Sequence, residues 1–79
     1  MSLSVIREII VETVHCNAGD VVEEASLAEL GIDSLKAITV LYELEECFDI
    51  EIPNEVIEEM HTVGDIVAKV DELRAAQAA

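Results

Sequence analysis

Ser34 is the residue whose type and setting raise a chemical question. It follows Asp33 and opens the run SLKAITVLYELEECF, which has the apolar spacing of a helix. A hydroxyl there could serve as a nucleophile, a helix cap or a point of attachment. Nucleophilic catalysis needs a base, most often histidine, oriented by a third group, together with an oxyanion site. His15 and His61 lie near helix ends far along the chain, and the signature G-x-S-x-G is absent. Paired carboxylates such as Glu45-Glu46 and Glu58-Glu59 are plentiful, yet a hydrolase sets such groups across a cleft for which a short chain has little room. They read more simply as solvated faces. No D-x-[DN]-x-[DN]-G loop for calcium occurs, and the two histidines with Cys16 and Cys47 show no metal-ligand spacing. No metal site is therefore expected.

Attachment remains. Asp33 suits an N-cap, because its carboxylate can accept from the orphan amides of a first helical turn, and Ser34 then falls at the first helical position. A phosphate placed on that exposed hydroxyl would meet free backbone amides and the positive end of the helix dipole. A bare Asp-Ser pair more commonly does no more than cap.

The elements that must position this serine are helical. Leu3, Ile6, Ile10 and Val14 recur with helical spacing, which predicts a first helix over about 3–15, closed near Asn17–Gly19. Residues 20–32 form a long connection whose Leu27, Leu30 and Ile32 tuck into the core, with Gly31 supplying a turn. The second helix, 34–48, carries Leu35, Ile38, Leu41, Leu44 and Phe48 as its buried stripe, with Glu43, Glu45 and Glu46 outward. Pro53 disfavours helix in the residue before it, a short third helix fits 54–60, and a fourth spans 63–75. Thr62 with Asp65 resembles a capping box for the fourth, whose Val63, Ile66, Val67, Val70 and Leu73 face inward, while the tail ELRAAQAA is expected to fray. The expected fold is all-α: one domain over 1–79, a compact antiparallel four-helix bundle with a long loop between helices one and two and a short third helix.

Composition narrows the function classes. A chain of 79 residues would bury only roughly 60% of its unfolded surface, so the core is small. Eighteen acidic residues stand against Arg7, Lys36, Lys69 and Arg74, a formal net charge of -14. A nucleic-acid backbone would be repelled, whereas basic protein surfaces would be attracted. No apolar run reaches membrane-spanning length, and the N-terminus lacks a basic region ahead of an apolar one. With two cysteines too far apart in the chain to mark a disulfide framework, a reduced, cytoplasmic, monomeric protein is expected.

In its wider setting, Ser34 resembles the attachment serine of the acyl carrier proteins. L-x-x-L-G-I-D-S-L runs from Leu27 to Leu35, followed by F-D-I-E-I-P from Phe48 to Pro53 and T-V-G-D-I from Thr62 to Ile66. The resemblance implies that Ser34 carries 4′-phosphopantetheine, donated by coenzyme A through a phosphopantetheinyl transferase, with Asp33 engaging that enzyme and its magnesium ion. It implies a carrier, not an enzyme, holding acyl, hydroxyacyl or aminoacyl cargo as a thioester. Further partners would be an acyl-loading ligase or transferase and a ketosynthase or other acyl-processing enzyme with a basic surface. These would meet the helix beside the serine at Leu35, Lys36, Thr39, Val40, Glu43, Glu45 and Glu46. Fatty-acid carriers usually place acids where this chain has Lys36 and Thr39, which points toward a specialised pathway such as polyketide synthesis. A small acidic helical adaptor without a prosthetic group would match the charge and helicity equally well, but leaves D-S-L in its setting unexplained.

Overall fold

The computed structural model describes residues 2–77. Among them are four α-helices, α1 (Ser2–Val14), α2 (Ser34–Phe48), α3 (Val56–Glu59) and α4 (Val63–Gln77). The described residues contain no strand, only an isolated antiparallel bridge between Ser26 and Thr62. The architecture is the all-α bundle that the apolar spacing requires. None of its described helices is long and apolar enough to cross a membrane.

Helix α1 buries Ile6, Ile9 and Ile10. It stops earlier than the glycine signal implied: His15 adopts the left-handed conformation (φ 57) and donates its N–H to the Val11 carbonyl at 2.8 Å. A 3₁₀ turn at Ala18–Asp20 then opens the crossover. Val21, Leu27 and Ile32 are buried, and Arg7 reaches from α1 to donate Nε–H to the Val21 carbonyl at 3.1 Å. The crossover is thus held by its own apolar side chains and by a cation from the first helix. Gly31 sits at φ 89, a left-handed conformation that a side chain would strain, and delivers the chain into α2.

The buried face of α2 departs from expectation only at its start: Leu41 and Leu44 are buried as expected and Phe48 packs against the core. Val40, Leu41 and Leu44 enter the core, whereas Leu35 is 73% and Ile38 42% exposed, and Phe48 is half-buried. Apolar residues occur nearly all round this helix, so helical spacing alone admits two stripes; packing against the other elements selects the one through Val40. Tyr42, 66% exposed, continues the rejected stripe.

Helix α3 is shorter than the 54–60 span. Val56 N–H donates to the Pro53 carbonyl and Ile57 N–H to that of Asn54, each at 3.1 Å, so the chain enters through tight three-residue turns instead of a full α-helical turn. Val56 and Met60 anchor the segment in the core. Helix α4 begins with the reciprocal cap: Thr62 N–H donates to Asp65 Oδ2 at 3.1 Å, and Asp65 N–H donates to Thr62 Oγ1 at 3.2 Å. The crossover backbone lies against this start, with Gly64 N–H donating to the Glu23 carbonyl at 2.9 Å; a Cβ on Gly64 would sit 3.1 Å from that oxygen.

The tail does not fray as far as Gln77. Glu51 N–H donates to Gln77 Oε1 and Gln77 Nε2 donates to the Glu51 carbonyl, both at 2.9 Å, and the Arg74 guanidinium lies 4.8 Å from the centre of the Phe48 ring. These contacts tie α4 to the link after α2. The last two residues of ELRAAQAA lie outside the described residues.

Candidate functional site

Asp33 has extended backbone (φ -90, ψ -176), as an N-cap does, and its Oδ1 accepts the backbone N–H of Lys36 at 2.9 Å. Because Asp33 makes the cap bond, Ser34 has no capping duty. Its side chain is exposed at the first turn of α2, where the Ser34 and Leu35 amides precede the Lys36 amide that Asp33 takes and can face an anion.

Beside the serine a cleft of about 230 Å³ opens between the crossover, the start of α2, α3 and the residues before α4. Leu27, Ile32, Ala37, Ile57 and Met60 give it an apolar lining, and Ser26, Asp33, Ser34 and His61 supply its polar groups. A larger depression, about 500 Å³, lies at the other end of α2 against Phe48, Asp71, Arg74 and Gln77. Its side chains are engaged in holding the termini: Ser2 Oγ donates to Asp71 Oδ1 at 2.6 Å and accepts from Arg74 at 3.2 Å. The cleft at Ser34 combines open space with an unused hydroxyl at the start of a helix.

The other residues singled out along α2 separate into two groups. Leu35, Lys36, Thr39, Glu43 and Glu46 are exposed. Thr39 donates its hydroxyl to the Leu35 carbonyl at 3.3 Å, within the helix. Val40 is not a surface residue: at 1% exposure it belongs to the core, since a helix turns it away from the Leu35 side. Glu45 is half-buried, not outward, because its Oε2 accepts the Ile52 N–H at 2.9 Å and ties α2 to the chain after it. It also borders a groove of about 400 Å³ with Ile38, Leu41, Tyr42, Ile52 and Ile57.

Spacing arguments missed Ser26, Ile57, Met60 and His61 as neighbours of Ser34. They come from two separate segments, the crossover and residues 57–61, and no local pattern marks their convergence on Ser34. The exposed apolar face of Leu35, Ile38 and Tyr42 was legible in principle as a second stripe of α2. Near the cleft, Asp65 is held below the usual carboxylate range, chiefly by the backbone N–H of His61, which donates at 2.9 Å, and then by that of Thr62.

An exposed hydroxyl at a helix N-terminus fits a phosphodiester, and an adjacent apolar cleft fits a slender arm extending from it. Comparison with known proteins gives the same chemistry. The family described as "Phosphopantetheine attachment site" matches residues 4–70. A protein of Wolinella succinogenes named "Acyl carrier protein" is 43% identical over 67 residues, covering 84% of this chain and 88% of that relative.

Proposed function

This chain belongs to the acyl carrier proteins, the carriers that bear phosphopantetheine, and from that premise we propose that Ser34 is its attachment residue. The observation that carries the assignment is the division of labour at the start of α2: Asp33 supplies the cap, and the neighbouring hydroxyl stands exposed beside an open cleft.

In the loading step the Ser34 oxygen forms a bond to the β-phosphorus of coenzyme A. The pyrophosphate linkage breaks, adenosine 3′,5′-bisphosphate leaves, and the serine proton passes to a base of the transferase. When bound, phosphopantetheine supplies the terminal thiol on which an acyl group is held. The chain's own residues do the rest. The first-turn amides of α2 and its dipole favour the phosphodiester, and Asp33 fixes that turn while presenting its second carboxylate oxygen to the transferase and its magnesium ion. Tethering holds the cargo at an effective concentration set by reach instead of by bulk.

The surface through which partners receive that cargo is the exposed part of α2 around Leu35, Lys36, Thr39, Glu43 and Glu46. An enzyme that admits the arm at Ser34 approaches the start of α2, where Leu35 and Lys36 are exposed beside the serine. Net charge of -14 favours basic partner rims and fast, salt-sensitive encounters with an acyl-loading ligase or transferase and with a ketosynthase. Lys36 interrupts this acidity at the centre of the contact, which favours partners of a specialised acyl pathway over those of ordinary fatty-acid synthesis. The groove bordered by Ile38, Leu41, Tyr42 and Ile57 offers an apolar chain a place to rest.

The experiment that separates a carrier from a plain acidic adaptor is intact mass spectrometry after incubation with coenzyme A and a broad-specificity phosphopantetheinyl transferase. A carrier gains the mass of one arm. An adaptor keeps its mass.

A further inference from the structure

Ser34 and His61 line the same cleft although they are distant in the chain. Both backbone groups of His61 are fixed: its carbonyl accepts the Leu27 N–H at 3.0 Å, and its N–H donates to Asp65 Oδ2 at 2.9 Å. The residue is nevertheless exposed, so its ring is accessible to whatever enters the cleft. The charged groups on the surrounding elements are Asp20, Glu23, Glu24 and Glu29 in the crossover, Asp33 and Lys36 at the start of α2, Glu55, Glu58 and Glu59 in and just before α3, and Asp65 at the start of α4, whose carboxylate also feels the charge of His61. Of these only Asp33 lines the cleft. Among the described residues, His61 is therefore the one group lining it that can carry positive charge.

Resting on the assignment of Ser34 above, we propose that His61 is the counter-charge for the phosphodiester at Ser34. Its imidazolium pairs with that anion and draws the arm over the apolar lining of Leu27, Ile32 and Met60. Loss of the proton as pH rises releases the arm outward for transfer. Histidine is the side chain that gains and loses a proton most readily near neutrality, so the pairing is sensitive to pH. Asp33, the residue before Ser34 and also in the lining, opposes the pairing by repelling the same phosphodiester.

The test is an NMR titration of the two histidines in the full chain before and after loading with phosphopantetheine. A new unit negative charge within roughly 5 Å of an exposed imidazole raises its midpoint by roughly half a pH unit before screening by salt. His61 should show that rise, and His15, at the end of α1, should not. The ³¹P resonance of the loaded chain, whose phosphodiester does not itself titrate in this range, should follow the His61 midpoint and become flat in His61→Gln. A fully loaded chain in which the His61 midpoint equals that of the unloaded protein overturns this inference alone. A chain that takes no arm at Ser34 overturns both the inference and the assignment beneath it.

Discussion

Asp33 and Lys36 are joined by a 2.9 Å hydrogen bond from the Lys36 backbone N–H to Asp33 Oδ1, and that bond lets the serine between them stay uncommitted. Asp33 thus caps the helix, and the transferase contact proposed for it is a separable duty of the same carboxylate.

Those duties divide under substitution. Asp33→Ala removes the cap and should cost about 1 kcal/mol, a fall of roughly 5 °C in Tm for a domain of this size. Asp33→Asn keeps a capping oxygen and should melt near the wild type while loading with phosphopantetheine at least tenfold more slowly. Equal loading rates for wild type and Asp33→Asn would show that the carboxylate is a cap and nothing more. Thermal melts and initial loading rates decide this.

Glu45 and Glu46 are adjacent acids with different work. Glu45 accepts the Ile52 N–H at 2.9 Å, while Glu46 is exposed. Glu45→Ala leaves that half-buried donor without its partner and should destabilise by about 1 kcal/mol, whereas Glu46→Ala should stay within a few tenths. Urea unfolding of the two variants measures the contrast, and indistinguishable midpoints would remove the structural role assigned to Glu45.

Asp65 gives the stability a pH dependence of known sign. Its native carboxyl is held below the ordinary range by the His61 and Thr62 amides, so its ionised form stabilises the folded state. That contribution is fully present above the unfolded carboxyl value of about 4 and is lost as pH falls through the lower native value. Wild type should therefore exceed Asp65→Asn in unfolding free energy at neutral pH, and the difference should shrink on acidification below about pH 4. A difference that stays constant across that range would mean that the charge of Asp65 is immaterial to its cap.

Lys36 tests the pathway reading. Partners built for carriers with an acid at that position would meet cation against cation. Lys36→Glu, with Thr39→Glu added in a second variant, should raise kcat/KM with a generic fatty-acid malonyl transferase or ketosynthase several-fold, most strongly at low salt. Unchanged efficiency with every partner would make Lys36 an ordinary surface residue.

Features written in neighbouring residues were legible before any coordinates. The Asp33 cap and the Thr62–Asp65 box each join residues three apart, so their hydrogen bonds follow from local geometry. Gly31 declared its turn for the same reason, since φ 89 suits a residue without Cβ. Leu41 and Leu44 were legible as buried, but which residues complete their face was not, because Leu35 and Ile38 are as apolar as Val40 and only packing ranks them. The two-way amide clasp between Gln77 and Glu51 stayed hidden behind a tail of alanines that looks like a fraying end. The company of His61 and Ser34 in one cleft was equally invisible, for it depends on the crossover and α4 being stitched together at Ser26 and Thr62.

The measurement that bears most directly on the central claim is peptide mapping of the loaded chain by tandem mass spectrometry, run beside Ser34→Ala under identical conditions. Wild type should carry one phosphopantetheine, found on the fragment containing Ser34, and Ser34→Ala should carry none while retaining the wild-type helical spectrum. An arm found on any other residue, or a folded Ser34→Ala chain that still gains one, would contradict the assignment of Ser34.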